Sequence, residues 1–163
     1  MAINTNIGYK TFGKNRAVRL KGIDYSKVEY PVHVITGTKN KVEVFKNPGF
    51  CEIAKEQLWK ISQQEIAIIA WCLMPDHLHI LFYPEKQPVN VNAAVHRIKG
   101  VIAKIINEKY LVGDIWQRGF YDRVLRKADD LTVVSEYIIC NPVRKGIVKD
   151  HKKYKYSWSK YHS

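Results

Sequence analysis

The sequence predicts an α+β domain in which a β-α-β-β-α-β order is followed by one more helix, and three observations carry that prediction. Residues 66–83, IAIIAWCLMPDHLHILFY, hold two apolar runs of strand length, 66–74 and 77–83, parted by the turn pair Pro75-Asp76. These are adjacent antiparallel strands. Residues 90–109 repeat at a period of 3.6 through Val91, Ala94, Val95, Ile98, Ile102, Ile105 and Ile106, with Arg97, Lys99, Lys104 and Lys109 mostly on the other side. That is an amphipathic helix. The third observation is size: 163 residues, 46% of them apolar, fit one domain with an ordinary core.

The other elements follow in chain order. Residues 1–27 mix Gly, Asn, Lys and Arg without a period and read as an extended basic arm whose end could join the body. VEYPVHVITG (28–37) alternates and is β-branched, so it is a first strand, with Pro31 arguing for an edge or a strand start. GFCEIAKEQLWKISQ (49–63) spaces Phe50, Ile53, Ala54, Leu58 and Ile61 as a helix does. DIWQRGFYDRVLR (114–126) is a fourth strand, and Asp129 or Asp130 can cap a helix over about 130–141 that packs through Leu131, Val134 and Ile138. The order is that of the ferredoxin-like split βαβ fold with a helix added at its end. In such a sheet the first and third strands are central, two crossover helices cover one face, and the other face is left for function. The expected division is an arm over 1–27, a body over 28–148 and a basic aromatic tail over 149–163.

Lys and Arg number 27 against 15 acidic residues, a net charge of +12 with no single run responsible. A polyanionic partner follows, nucleic acid before an anionic membrane surface. Three scattered cysteines, Cys51, Cys72 and Cys140, form no CxxC pair, which argues against a disulfide framework and a zinc knuckle. With no apolar leader and no run near the roughly 18–20 apolar residues of a membrane span, a soluble cytoplasmic protein acting at the nucleoid is expected, with no membrane partner.

His77 and His79 lie two apart on the third strand and therefore on one face, with Leu78 on the other. Burying two imidazoles without a shared ligand leaves donors and acceptors to satisfy, so the pair points to a metal ion or a phosphate. Two imidazoles leave positions open for a further protein ligand and for substrate. Asp76 can hydrogen-bond an imidazole from behind, or simply form the turn after Pro75. In SEYIICNPVRKG (135–146), Tyr137 and Asn141 are four apart on one helix face, and Asn141 precedes Pro142, so it falls in the last turn with its amide free to point away from the helix. By itself this pair is a weak signal and gains weight only if it faces the histidines.

MPDHLH, WQRGFYDRVLR and EYIICNPVRKG, in this order and spacing, resemble the HUH single-tyrosine transposases, and most closely the REP-associated tyrosine transposases. The resemblance runs from about residue 19 to the C-terminal YSWSKY. It implies that His77 and His79 bind a divalent metal, Mg²⁺ or Mn²⁺, that Asn141 is the third ligand, and that Tyr137, on the helix after the split βαβ core, is the nucleophile. Insertion-sequence relatives often carry Gln as third ligand, so Asn141 leans toward the REP-associated branch. The Gly-Tyr expected near the start of the body is replaced by Gly22-Ile23-Asp24. The resemblance also implies a single-stranded or hairpin DNA substrate, and either a monomer or a homodimer that exchanges its tyrosine helices.

Such chemistry suits the residues. A phenol of pKa near 10 and a phosphodiester are a weak nucleophile and a poor electrophile, and a divalent ion polarises the latter. A 5′-phosphotyrosine conserves the bond for rejoining, and the chain has no GxxxxGK[ST] loop. Affinity for unpaired strands needs cations and aromatics, for which Arg97, Lys104, Arg118, Arg123, Arg126, Lys155 and Trp158 are the candidates. Two other readings compete. One is a non-catalytic nucleic-acid-binding module; RGFYDRVL begins like an RNP1 signature but has Tyr121 and Asp122 where a small residue and an aromatic belong. The other is a two-histidine hydrolase with a water nucleophile, to which Tyr137 would be dispensable. The acidic residues form no clustered set of the three-carboxylate kind.

Overall fold

A computed structural model describes residues 22–64, 67–125 and 130–162. Most of the expected basic arm and Arg126 lie outside the described residues. Strands β1 (Val32–Gly37), β2 (Ile68–Met74), β3 (His77–Phe82), β4 (Tyr121–Val124) and β5 (Ser157–Ser159) form one antiparallel sheet in the order β4-β1-β3-β2-β5. The helices are α1 (Pro48–Gln64), α2 (Val91–Tyr110), α3 (Leu131–Ile139) and the short α4 (Asn141–Arg144). The first and third strands are central, as expected of the ferredoxin-like order.

Alternation decides which face each side chain joins. Val32 and Val34 of β1, Leu78, Ile80 and Phe82 of β3 and Trp71 and Leu73 of β2 meet Leu58 and Ile61 of α1 and Ile98, Ile102 and Ile106 of α2 in the main core. Each such aliphatic side chain stabilises the fold by about 1.5–3 kcal/mol on burial. The opposite face is not wholly open. Val134 and Ile138 of α3 cover Cys72, Met74 and Leu81, which leaves the β1–β3 end of that face, with His33, His77 and His79, beside the end of α3.

The turn between β2 and β3 is held from outside. Met74 pairs with His77 across Pro75-Asp76. The Pro75 carbonyl accepts from Phe45 N at 3.0 Å and the Asp76 carbonyl from Thr38 N at 2.8 Å. Asp76 is thereby set in place by the chain that leaves β1.

The end of the expected arm does join the body: Tyr25 is buried and donates to Asp122 at 2.5 Å, and Val28 bridges to Val89. Three expectations are corrected. The fourth strand is only Tyr121–Val124, because residues 114–120 turn away to bury Ile115 and Phe120 and to set Trp116 against Phe45 at a tilt of 38°, with Gly119 at φ 70°. The helix expected over 130–141, capped by Asp130 through Thr132 N at 2.8 Å, stops at Ile139. The expected tail is not a tail. Its residues Ser157–Ser159 add β5 to the edge of β2, with Trp158 opposite Trp71, and Tyr154 donates to the Leu73 carbonyl at 2.6 Å. Among the described residues, no helix is long and apolar enough to cross a membrane.

Candidate active site

Three imidazoles and a carboxylate form a chain across the free end of the sheet. His77 opens β3 directly after the turn, and its Nδ1 lies 2.5 Å from Asp76 Oδ1. Hydrogen bonding to His77 holds the Asp76 carboxyl below its usual range, so the carboxylate accepts and His77 Nδ1 donates. That leaves Nε2 as the His77 nitrogen turned toward His79. His77 Nε2 is 3.1 Å from His79 Nε2, and His79 Nδ1 is 3.0 Å from His33 Nε2. The rings of His33 and His79 stack at 5.2 Å and 20°. Burial pushes His79 well below the ordinary histidine value and His33 down to about 3, so both are neutral near pH 7.

The far wall comes from the end of α3. A continuing helix would satisfy the Ile138 carbonyl from the N–H four residues on, but that residue is Pro142, which has none. The Asn141 side chain supplies the bond instead: Nδ2 donates to the Ile138 carbonyl at 2.9 Å and approaches the Tyr137 carbonyl at 3.3 Å. The expectation that the Asn141 amide points away from the helix is corrected at its nitrogen. Its nitrogen end is folded back onto α3, and the oxygen is the donor atom left for a ligand. Arg144 completes this wall, with Nη1 donating to the Tyr137 carbonyl at 2.8 Å and its guanidinium 3.7 Å over the Tyr137 ring.

His77, His79, Tyr137, Asn141 and Arg144 line one cleft of about 840 Å³, together with Asp76. The pairs that sequence reasoning left apart thus line one cleft. Among the described residues, no group of three or more His, Cys, Asp and Glu is arranged to hold a metal ion. His33 turns its Nε2 to His79 and is not a third imidazole ligand. The donor set that fits a cation is two imidazoles and an amide oxygen.

The expected nucleic-acid contacts are scattered. Arg97 and Lys104 sit on the exposed side of α2, across the sheet from the histidines, with Lys104 3.8 Å from Glu108. Arg118 is exposed in the loop before β4. Lys155 is exposed and paired with Glu52 at 2.6 Å, and Trp158 packs on Trp59 at 5.6 Å on the α1 side. Of the described candidates only Arg123, in register with His33, shares the histidine face. The cations that line the cleft are instead Lys41, Lys46, Arg144 and Lys145. Arg144 had a legible signal, since it lies seven residues, two helical turns, after Tyr137. Lys41, Lys46 and His33 had none.

The family model for IS200-like transposases matches residues 26–141. A protein of Haemophilus influenzae described as a REP-associated tyrosine transposase is 29% identical over 99 residues, 55% of this chain and 56% of that protein. The chain therefore spans about half the length of this curated relative. Among solved structures, a REP-associated tyrosine transposase bound to a REP hairpin superposes with a TM-score of 0.62 at 20% identity, over 85% of this chain and 82% of that one. A bacterial tRNA(His) guanylyltransferase-like protein in complex with ATP gives 0.52 at 13% identity, over 80% and 69%. At such identities these two likenesses concern the fold alone. The family match spans most of the chain and both histidines, Tyr137 and Asn141, and the chain belongs to the IS200-like transposase family.

Proposed function

We propose that this chain is a transposase that acts as a metal-dependent single-strand DNA endonuclease and strand transferase at hairpin DNA. The observation that carries the reading is the shared cleft, in which Tyr137 and Asn141 meet two imidazoles whose Nε2 atoms are 3.1 Å apart. His77, His79 and Asn141 would hold Mg²⁺ or Mn²⁺. When bound, the ion would polarise the scissile phosphate and offset charge in the transition state.

The chain's own residues do the rest. Tyr137 Oη forms a bond to phosphorus as the bond to the 3′ oxygen breaks. The phenolic proton passes to solvent, and the departing oxygen takes one up as a 3′-OH. The product is a 5′-phosphotyrosine, and attack by another 3′-OH reverses the step and joins strands. Arg144 fixes the plane of the Tyr137 ring by stacking on it and adds positive charge where the phosphate must lie. Lys41, Lys46 and Lys145 on the cleft wall draw in the backbone. A substrate of hairpin form accords with the REP hairpin held by the solved relative, and such a substrate belongs to the nucleoid.

The test is a denaturing gel of protein incubated with single-stranded hairpin DNA from its own genomic flanks, with Mn²⁺ or EDTA, beside Tyr137→Phe. The expected result is a metal-dependent covalent adduct to the 3′ fragment that Tyr137→Phe abolishes. Cleavage that survives Tyr137→Phe refutes the tyrosine mechanism in favour of water attack. Binding without cleavage on several such hairpins favours a binding module.

A further inference from the structure

We infer that His33 is a positioning residue that sets the tautomer of His79, and with it whether His79 Nε2 can ligate a cation. The inference rests on the reading that His77 and His79 hold a divalent ion. Its starting point is a count of protons. A neutral imidazole has one N–H and one lone pair, yet His79 has a nitrogen neighbour on each side, His33 Nε2 at 3.0 Å and His77 Nε2 at 3.1 Å.

With all three imidazoles neutral, two arrangements satisfy both contacts. In the first, His33 Nε2–H donates to His79 Nδ1, and His79 Nε2–H donates to His77 Nε2, whose own proton is directed at Asp76. Every contact then has one donor, and no ion is needed. In the second, His79 Nδ1–H donates to His33 Nε2, and two Nε2 lone pairs face each other. That arrangement is stable only with a cation between them. Loading the ion therefore requires the His79 proton to sit on Nδ1, and His33 must accept it.

The partner of His77 is a carboxylate, which can only accept and so keeps the proton of a neutral His77 on Nδ1, with Nε2 as the ligating nitrogen. The partner of His79 is an imidazole, which can do either. His33 is suited to this because it is 1% exposed on a central strand, where water cannot stand in for it. It lies diagonal to His79 on the same sheet face, since Ile35 is opposite His79 and His33 opposite Leu81. Without it, the His79 Nδ1–H of the loaded form would be buried with no acceptor, and loss of such an outer partner typically lowers metal affinity 10–100-fold.

The test measures Mn²⁺ affinity of the full chain by titration calorimetry and electron paramagnetic resonance, without DNA. His33→Leu is expected to weaken binding 10–100-fold, while His33→Gln, whose amide can accept or donate, stays within a few-fold of wild type. In wild type loaded with Mg²⁺, ¹⁵N imidazole NMR is expected to find the His79 proton on Nδ1, and this readout is independent of whether the Leu variant folds. Equal affinity of His33→Leu and wild type overturns the inference. So does a loss in His33→Gln as large as in His33→Leu, or a loaded His79 with its proton on Nε2. A wild type whose Mn²⁺ binding is absent, or unchanged by His77→Ala, fails the metal reading itself, a result distinct from any of these.

Discussion

Replacing Asn141 tests the link between local chain chemistry and the site. Its amide makes the hydrogen bond that Pro142 cannot, to the Ile138 carbonyl at 2.9 Å on a fully buried residue. Asn141→Ala removes that carbonyl's side-chain donor and leaves it only the Cys140 N–H of the helix cap, whereas the Tyr137 carbonyl keeps Arg144 at 2.8 Å. Loss of one hydrogen bond costs about 0.5–1.5 kcal/mol, and for a chain of this size each kcal/mol lowers Tm by about 2–4 °C. Urea unfolding with an unchanged m-value is the assay. Asn141→Asp keeps an oxygen but has no donor, so it is expected to destabilise at least as much as Ala at neutral pH. The decisive comparison is Pro142→Ala, which restores a backbone N–H. In that background Asn141→Ala is expected to cost about 1 kcal/mol less. An equal cost in both backgrounds, or a loss below about 0.5 kcal/mol in the wild type, refutes the account of how the amide is oriented.

Other consequences can be checked alongside. Arg144→Lys loses the planar stack on Tyr137 and the bond to its carbonyl, and is expected to slow adduct formation about 10-fold or more in a single-turnover gel, a barrier change of about 1.4 kcal/mol. In the salt dependence of hairpin binding, Lys41→Ala and Lys145→Ala are each expected to reduce the slope of log K against log salt by about 0.7–0.9, whereas Lys104→Ala, across the sheet, leaves it unchanged. The opposite ranking would move the DNA to the α2 side. Tyr25→Phe removes one donor from the buried Asp122 carboxylate and is expected to destabilise the chain by about 1–3 kcal/mol in urea unfolding, a loss that would tie the first described residues to the body.

The sequence by itself determined what depends on neighbours within a few residues. The period of two put His77 and His79 on one face and the main-core residues on the other, and the period of 3.6 marked α2 to within a residue at each end. Pro75-Asp76 marked the hairpin, and the spacing of four put Tyr137 and Asn141 on one helix face, although by itself that was a weak signal. Only the tertiary structure decided the rest. His33 reached His79 through the register of β1 against β3, 46 residues away in the chain, which no local period encodes. The basic C-terminal segment looked like a solvated tail because its cations are real, but the unpaired edge of β2 recruited Ser157–Ser159 as a strand and turned Trp158 toward α1. The cations of the cleft come from the β1–α1 connection and from α4 and the residue after it, so their common address exists only once the sheet has brought those ends together. Net charge is a sum over residues and is legible from the sequence, whereas a charged surface depends on where the folded chain places them.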